Sequence, residues 1–371
     1  MSVPLLDLKA QWAQVGDEIK AALEEVYDTQ RFIMGPLVEK FENEVAEYCG
    51  CPHAVGCASG SDALALALMA LDVGPGDEVI LPAFTFFASV GAVTRVGATP
   101  VFADSDPVTF NLTPGEVERL ITSKTKAVMP VHLFGQVCEM DAIAAICHER
   151  NVRIVEDAAQ SIGAKYQGRR VGRTGGDIAT FSFFPSKNLG CMGDGGMCVT
   201  NDAALDKKMR ILRNHGAQPK YYHKLIGMNS RLDALQAAGL SVKLRHLEDW
   251  HAGRRANAAD YDAKLAGVDG LTTPVIAPDN WSIYNQYTVR VTNGKRDAVV
   301  QGMKDRGIGC EIYYPVPLHV QECYAHLGGK PGDLPVAEQA AAEVLSIPIY
   351  PELTAAQRDE VVAALKELVA G

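Results

Sequence analysis

The chain is predicted to be an α/β protein with a smaller α+β portion at its carboxyl end, and three observations lead there. Over the first two thirds, short apolar strand-like runs alternate with amphipathic helical stretches. One of those runs turns acidic where it ends, and another gives way to a lysine on a Gly-rich connection. Beyond a long polar helical stretch, from about Leu232 to Lys264, strand-like segments return with helices between them. Alternating strand and helix patterns favour a mostly parallel sheet covered by helices.

In chain order, Ala58-Ser59-Gly60-Ser61-Asp62 precedes the apolar helical run Ala63 to Leu71. The amides of Gly60 and Ser61 then lie at a helix amino terminus, where unpaired N–H groups and the dipole favour an anion. A simple N-cap by Ser59 or Ser61 is the competing reading. Strands are expected at Val79–Pro82, Pro100–Ala103, Ala127–Val131, Val152–Val155 and Ile178–Phe184, with helices at Pro114–Ile121 and Met140–Arg150. Tyr287-Thr288-Val289-Arg290-Val291 reads as a strand of the second portion. The expected division is a large domain over residues 1–245 and a small carboxyl-terminal domain over 246–371.

Composition narrows the function. The 371 residues are 47% hydrophobic, enough for a full core. A formal net charge of −10 without a long Lys/Arg run argues against nucleic acid as a partner. The amino terminus lacks a basic segment followed by an apolar stretch, and no apolar run reaches bilayer length, so a cytoplasmic, non-membrane protein is expected. Nine cysteines, an odd number, fit reduced thiols. Cys49, Cys51 and Cys57 lack a second Cys or His pair at zinc-like spacing, so no metal site is expected.

Asp157 and Lys187 carry the chemistry. Asp157 closes Ile154-Val155-Glu156-Asp157, where a buried parallel strand delivers a side chain at its carboxyl edge. Lys187 follows the strand-like run Ile178–Phe184 and precedes the glycines 190, 193, 195 and 196. Taken singly, an Asp at a strand end usually caps a helix, and a lysine is usually a surface charge. Together they match one cofactor: the carboxylate can hold a pyridinium nitrogen, and a desolvated lysine amine can attack an aldehyde. That cofactor is pyridoxal 5′-phosphate.

Glu156-Asp157-Ala158-Ala159-Gln160, Ser182-Phe183-Phe184-Pro185-Ser186-Lys187-Asn188-Leu189-Gly190 and Gly193-Asp194-Gly195-Gly196 resemble the DegT/DnrJ/EryC1/StrS family. The likeness runs from Asp7-Leu8-Lys9 to Ser346-Ile347-Pro348-Ile349-Tyr350-Pro351, almost the whole chain. It implies a fold type I aminotransferase that moves an amino group from L-glutamate to a keto nucleotide sugar. On the matching positions, Lys187 and Asp157 are the catalytic residues. Gly60 and Ser61 would hold the phosphate, joined by Ser182; Phe86 would stack on the ring, and Gln160 would bond its phenolic oxygen. Family enzymes complete each site from a second subunit, so Asn229 is expected to reach a phosphate across a homodimer with shared active sites.

Segments around Val131–Gln136, Tyr221–His223, Tyr284–Arg290 and Tyr314–His319 resemble enzymes that aminate C3 of UDP-2-acetamido-3-keto-glucuronic acid for surface polysaccharide. Arg231, Tyr313, Tyr314 and His319 are the expected sugar contacts, Tyr313 standing where those enzymes often have His. Amination at C4 of a keto-6-deoxy sugar, or at C3 of a dTDP-sugar, is the alternative. A dehydratase that lacks the lysine and a non-catalytic regulator are the remaining readings.

Overall fold

The computed structural model describes residues 2–371. The chain opens with α1 (Leu8–Thr29) and α2 (Pro36–Cys49) before the first strand, β1 (His53–Cys57). It then alternates α3 (Gly60–Ala70), β2 (Glu78–Pro82), α4 (Phe87–Arg95), β3 (Thr99–Ala103), α5 (Pro114–Leu120), β4 (Thr125–Val128), α6 (Met140–Glu149) and β5 (Arg153–Asp157). A short hairpin, β6 (Lys165–Tyr166) and β7 (Arg169–Arg170), leads to β8 (Ile178–Ser182) and β9 (Gly196–Thr200).

Seven strands form one sheet in the order β1-β9-β8-β5-β4-β2-β3. The pairs from β8 to β3 are parallel, whereas β9 runs antiparallel to both β1 and β8. Six strands therefore share a direction and β9 alone is reversed, which makes the sheet mixed and mostly parallel. Its strands are buried on both faces, as their short apolar sequences require. Helix α3 is apolar all round because it is enclosed: Ala63 to Leu68 are all buried. Leu64, Leu66 and Leu68 are each at most 2% exposed, and each such burial contributes about 1.5–3 kcal/mol.

After α7 (Ala203–Leu212), the 32-residue α8 (Ala234–Leu265) joins the two parts of the molecule. Its first half packs in the core with α1 and α2, while Ala258, Tyr261 and Leu265 enter a separate core. The expected division at residue 245 falls inside this continuous helix. The second core is built on β10 (Leu271–Thr272), β12 (Tyr287–Val291) and β13 (Val344–Ile347), an antiparallel sheet, with α9 (Arg296–Asp305) and α11 (Ala355–Ala370). Between β10 and β12, β11 (Asn280–Trp281) returns to pair with β6, and α10 (Pro335–Glu343) precedes β13. The amino-terminal Val3 is part of this second core, where it bridges to Ile308.

A buried ion pair steadies the loop that opens α3. Arg213 Nη1 donates to Glu42 Oε1 and to the Gly56 carbonyl, and Glu42 Oε1 accepts from the Gly56 amide at 2.8 Å. Arg213 also accepts the Ser230 amide on its carbonyl, and Ser230 Oγ accepts the amide of Ala58 at 3.2 Å. The turn at 58–61 is thus held from below by two charged residues and a hydroxyl.

Candidate functional site

The carboxyl ends of β1, β2, β5 and β8 surround a cavity of about 440 Å³, the expected place for a ligand in an open parallel sheet. Asp157, the last residue of β5, forms part of its wall and is 4% exposed. Its backbone is bridged to the neighbouring segment through Asp157 N to Pro130 O at 2.9 Å and His132 N to Asp157 O at 3.0 Å. Ser89 Oγ donates to Oδ2 at 2.7 Å and the Ala159 amide to Oδ1 at 3.2 Å. Because the Ser89 proton goes to the carboxylate, the 3.3 Å contact with Thr85 Oγ1 has Thr85 as donor. Burial pushes the Asp157 carboxyl above its ordinary range, opposed by the Ser89 and Ala159 hydrogen bonds and the nearby Lys187 charge.

Lys187 lies five residues beyond β8 on a tight loop. Its amide bonds to Phe184 O at 2.8 Å, and Lys243 Nζ holds the Gly190 carbonyl at 2.7 Å. A Cβ on Gly190 would come within 2.4 Å of Pro185 O, so this turn requires glycine. Burial lowers the Lys187 amine to about 8, with the Asp157 charge acting the other way. Near neutral pH a useful fraction of the amine is therefore unprotonated, as a nucleophile needs.

The anion end is formed by Ser59, Gly60 and Ser61 at the start of α3, where the first helical N–H groups have no intrahelical acceptor. Ser59 Oγ is the N-cap and accepts from Asp62 N at 3.1 Å. A Cβ on Gly60 would sit 2.6 Å from Cβ of Ser182, and one on Gly196 would sit 2.3 Å from Ser59 O. Both glycines let this loop approach β8 and β9, which brings Ser182 beside the helix start.

Phe86 caps α4 and is 55% exposed at the cavity, its ring centroid 5.8 Å from that of Tyr314. Gln160 also lines the cavity, and its amide is held at both ends: Oε1 accepts from Phe134 N at 2.7 Å and Nε2 donates to the Tyr314 hydroxyl at 3.0 Å. One N–H of that amide stays free for a ligand. Tyr313 completes the same wall.

Three expected contacts lie elsewhere. His319 is 3% exposed, pairs through Nε2 with Glu338 at 3.1 Å and does not line the cavity. The chain after Tyr314 turns away through Pro315 and Pro317 into a 3₁₀ turn, which carries His319 inward. Arg231 donates to Asn214 Oδ1 at 3.2 Å, and Asn229 is exposed; neither reaches the cavity of its own chain. Sequence reasoning overlooked Thr85, Ser89, Asp194 and Gln286, of which all but Ser89 line the cavity. Ser89 had a readable signal, since it is on the first turn of a helix that begins at a strand's carboxyl end.

These residues fit pyridoxal phosphate. Asp157 is desolvated yet has only two donors, a deficit that a protonated ring nitrogen fills; Lys187 is the basic residue lining the cavity; and the glycine-dependent turn at α3 suits a phosphate. Among the described residues no group of His, Cys, Asp and Glu could hold a metal, and no helix is long and apolar enough to cross a membrane. All nine cysteines are free, and Cys323 is the exposed one.

Comparison with known proteins agrees. Over 369 residues, 99% of this chain and 98% of the relative, the chain is 51% identical to the "Pleiotropic regulatory protein" of Geobacillus stearothermophilus. It is 47% identical to the dTDP-3-amino-3,4,6-trideoxy-alpha-D-glucose transaminase of Streptomyces venezuelae, covering 98% and 96% of the two chains. The UDP-2-acetamido-2-deoxy-3-oxo-D-glucuronate aminotransferase of Pseudomonas aeruginosa is 44% identical, covering 98% and 99%. The crystal structure of S. venezuelae DesV superposes with a TM-score of 0.97 at 46% identity, over 100% of this chain and 99% of that one. Residues 13–366 match the DegT/DnrJ/EryC1/StrS aminotransferase family; the chain belongs to it and is a pyridoxal-phosphate-dependent sugar aminotransferase.

Proposed function

We propose that this enzyme moves the amino group of L-glutamate to C3 of UDP-2-acetamido-2-deoxy-3-keto-glucuronic acid, in the cytoplasm, for a surface polysaccharide. The observation that carries the transamination itself is the convergence of Asp157, Lys187 and the Ser59–Ser61 turn on one cavity. Bound there, the cofactor supplies an aldehyde to carry the amino group and a cationic ring to accept electrons. Asp157 keeps the proton on the ring nitrogen, with Ser89 and Ala159 fixing the carboxylate. The unprotonated Nζ of Lys187 moves a proton between the donor's α-carbon and the cofactor's C4′. Phe86 would cover one face of the cofactor ring, and the free N–H of Gln160 would orient its phenolic oxygen.

The uronic sugar rests on the segments around Val131–Gln136 and Tyr284–Arg290 and on the activity named for the P. aeruginosa relative. A second reading, C3 of a dTDP-linked 3-keto-6-deoxy sugar, has a specific observation in its favour: no arginine of this chain lines the cavity to meet a sugar carboxylate. The activity named for the S. venezuelae relative points the same way.

We also assign the working form as a homodimer with shared active sites. Asn229 is exposed, and the nearby Tyr221, Tyr222 and Ile226 are 79%, 70% and 93% exposed, an apolar patch suited to burial against a second copy. In that arrangement Asn229 reaches the partner's phosphate and Arg231 the partner's sugar.

The test is to load the cofactor with L-glutamate, remove the excess, add each keto sugar in turn and record the absorption of the aldehyde form. Return with the UDP-3-keto-uronate supports the first reading. Return with a dTDP-3-keto sugar alone supports the second, and return with a 4-keto sugar alone overturns both.

A further inference from the structure

A second, smaller cleft opens off the cavity beside the lysine. It shares Ser186, Gln286 and Tyr313 with the main cavity, holds about 40 Å³ and ends against Arg254 and Asn285. About 10–15 Å³ of such space holds one water molecule, so the cleft has room for a carboxylate.

Arg254 is unusual for a buried cation. It is 4% exposed and, among the described residues, has no carboxylate within ion-pair distance. Its Nη1 donates to the carbonyls of Tyr284, Asn285 and Ile349 at 3.0, 3.3 and 2.9 Å, while Nε and Nη2 make no hydrogen bond among the described residues. Burial lowers the guanidinium to about 10, with Glu352 too distant to pair but acting the other way. A desolvated charge without a counter-ion is costly unless a ligand supplies one. Beside it, Gln286 Oε1 and Asn285 Oδ1 are buried without partners. Among the described residues Gln286 Nε2 has no acceptor and, unlike Oε1, is not fully buried, so its N–H groups are free for an acceptor in the cleft.

The amino donor brings the missing charge. An α-amino acid carries a carboxylate on the carbon that must reach Lys187, the one amine among the residues lining the main cavity. We infer that this cleft is the subsite for the α-carboxylate of the amino donor, with Arg254 as its cation and Gln286 as a second donor. The inference rests on the transaminase reading above; it requires an α-amino acid as donor but not glutamate in particular. Held there, the α-carboxylate leaves the donor's α-C–H bond facing Lys187, whereas the keto sugar bears no carboxylate on the carbon that reacts.

The experiment compares the holoenzyme with Arg254→Lys and Gln286→Leu. Calorimetry with L-α-methylglutamate, which has no α-proton to lose, reads binding apart from turnover. Loading of the amine form by L-glutamate and by 4-aminobutyrate, which lacks the α-carboxylate, reads the group itself. The dissociation constant for L-α-methylglutamate should rise about tenfold or more in Arg254→Lys, and less in Gln286→Leu. The preference for glutamate over 4-aminobutyrate should shrink by a similar factor in Arg254→Lys, with discharge by the keto sugar unchanged in that variant.

Equal loss with both donors and with the sugar would show a purely structural Arg254 and overturn the inference. So would an unmodified enzyme that loads equally well from 4-aminobutyrate. If the unmodified enzyme ignores glutamate but takes another α-amino acid, the donor reading fails while the same comparison, run with that acid and its decarboxylated analogue, still decides the role of Arg254.

Discussion

Ser89 Oγ lies 2.7 Å from Asp157 Oδ2, so the carboxylate proposed to hold the ring nitrogen is fixed by a hydroxyl from the first turn of α4, the third helix back in the chain. Asp157 is thereby desolvated, oriented and short of donors at once. Burial raises its affinity for a proton, and a cationic ring nitrogen beside it would favour the charged carboxylate.

Asp157→Asn removes that charge and leaves the shape. The variant should bind the cofactor and lose about a hundredfold or more in loading by L-glutamate, the scale of one well-placed charge in a dry site. Single-turnover absorbance checks it.

Removing Ser89 acts through Asp157. In Ser89→Ala the carboxylate loses its strongest donor, and loading by glutamate should slow about three- to tenfold, the equivalent of one hydrogen bond to a charged group partly replaced by water. Single-turnover absorbance again reads it, with Ser89→Thr restoring most of the rate.

Lys187 sets a pH dependence. Its folded-state value, lowered to about 8 by burial, is below that of the unfolded chain. Capture of added pyridoxal phosphate by the apoprotein should therefore rise with pH through about 8 and level off above it. The sign for stability follows: between about 8 and the ordinary lysine value the unfolded chain binds more protons, so Lys187 contributes rising stability of the apoprotein across that window. Stopped-flow capture and denaturant melts at pH 7, 8 and 9.5 check both.

Glu42→Gln leaves Arg213 without its counter-charge in a buried setting. Unfolding free energy should fall by about 3–5 kcal/mol, measured by urea denaturation, and cofactor affinity should weaken with it because the same network holds Gly56 and Ala58.

Much of the sheet was legible because parallel strands buried on both faces are continuous apolar runs; the strands that supply Asp157 and Ser182 were found within a residue or two. The edges were harder. His53–Cys57 and Gly196–Thr200 contain glycine and cysteine instead of a β-branched run, and their pairing follows from contacts distant in sequence. Lys187, Asp157, Phe86, Gln160 and Ser182 share one cavity because each is at, or a few residues beyond, a strand's carboxyl end. His319 sits on an irregular segment instead, where the path of the chain, and not any periodic pattern, decides which side chain faces inward. Arg254 was invisible for another reason: on a helix it reads as a surface charge, and only the packing of Tyr284, Asn285 and Ile349 around it shows that it is buried.

The most direct test of the account is borohydride reduction of the holoenzyme followed by peptide mass mapping. The account predicts a stable pyridoxyl addition on Lys187 and its disappearance in Lys187→Ala, with cofactor still bound non-covalently. Addition at another lysine, or none with the cofactor bound, would contradict it.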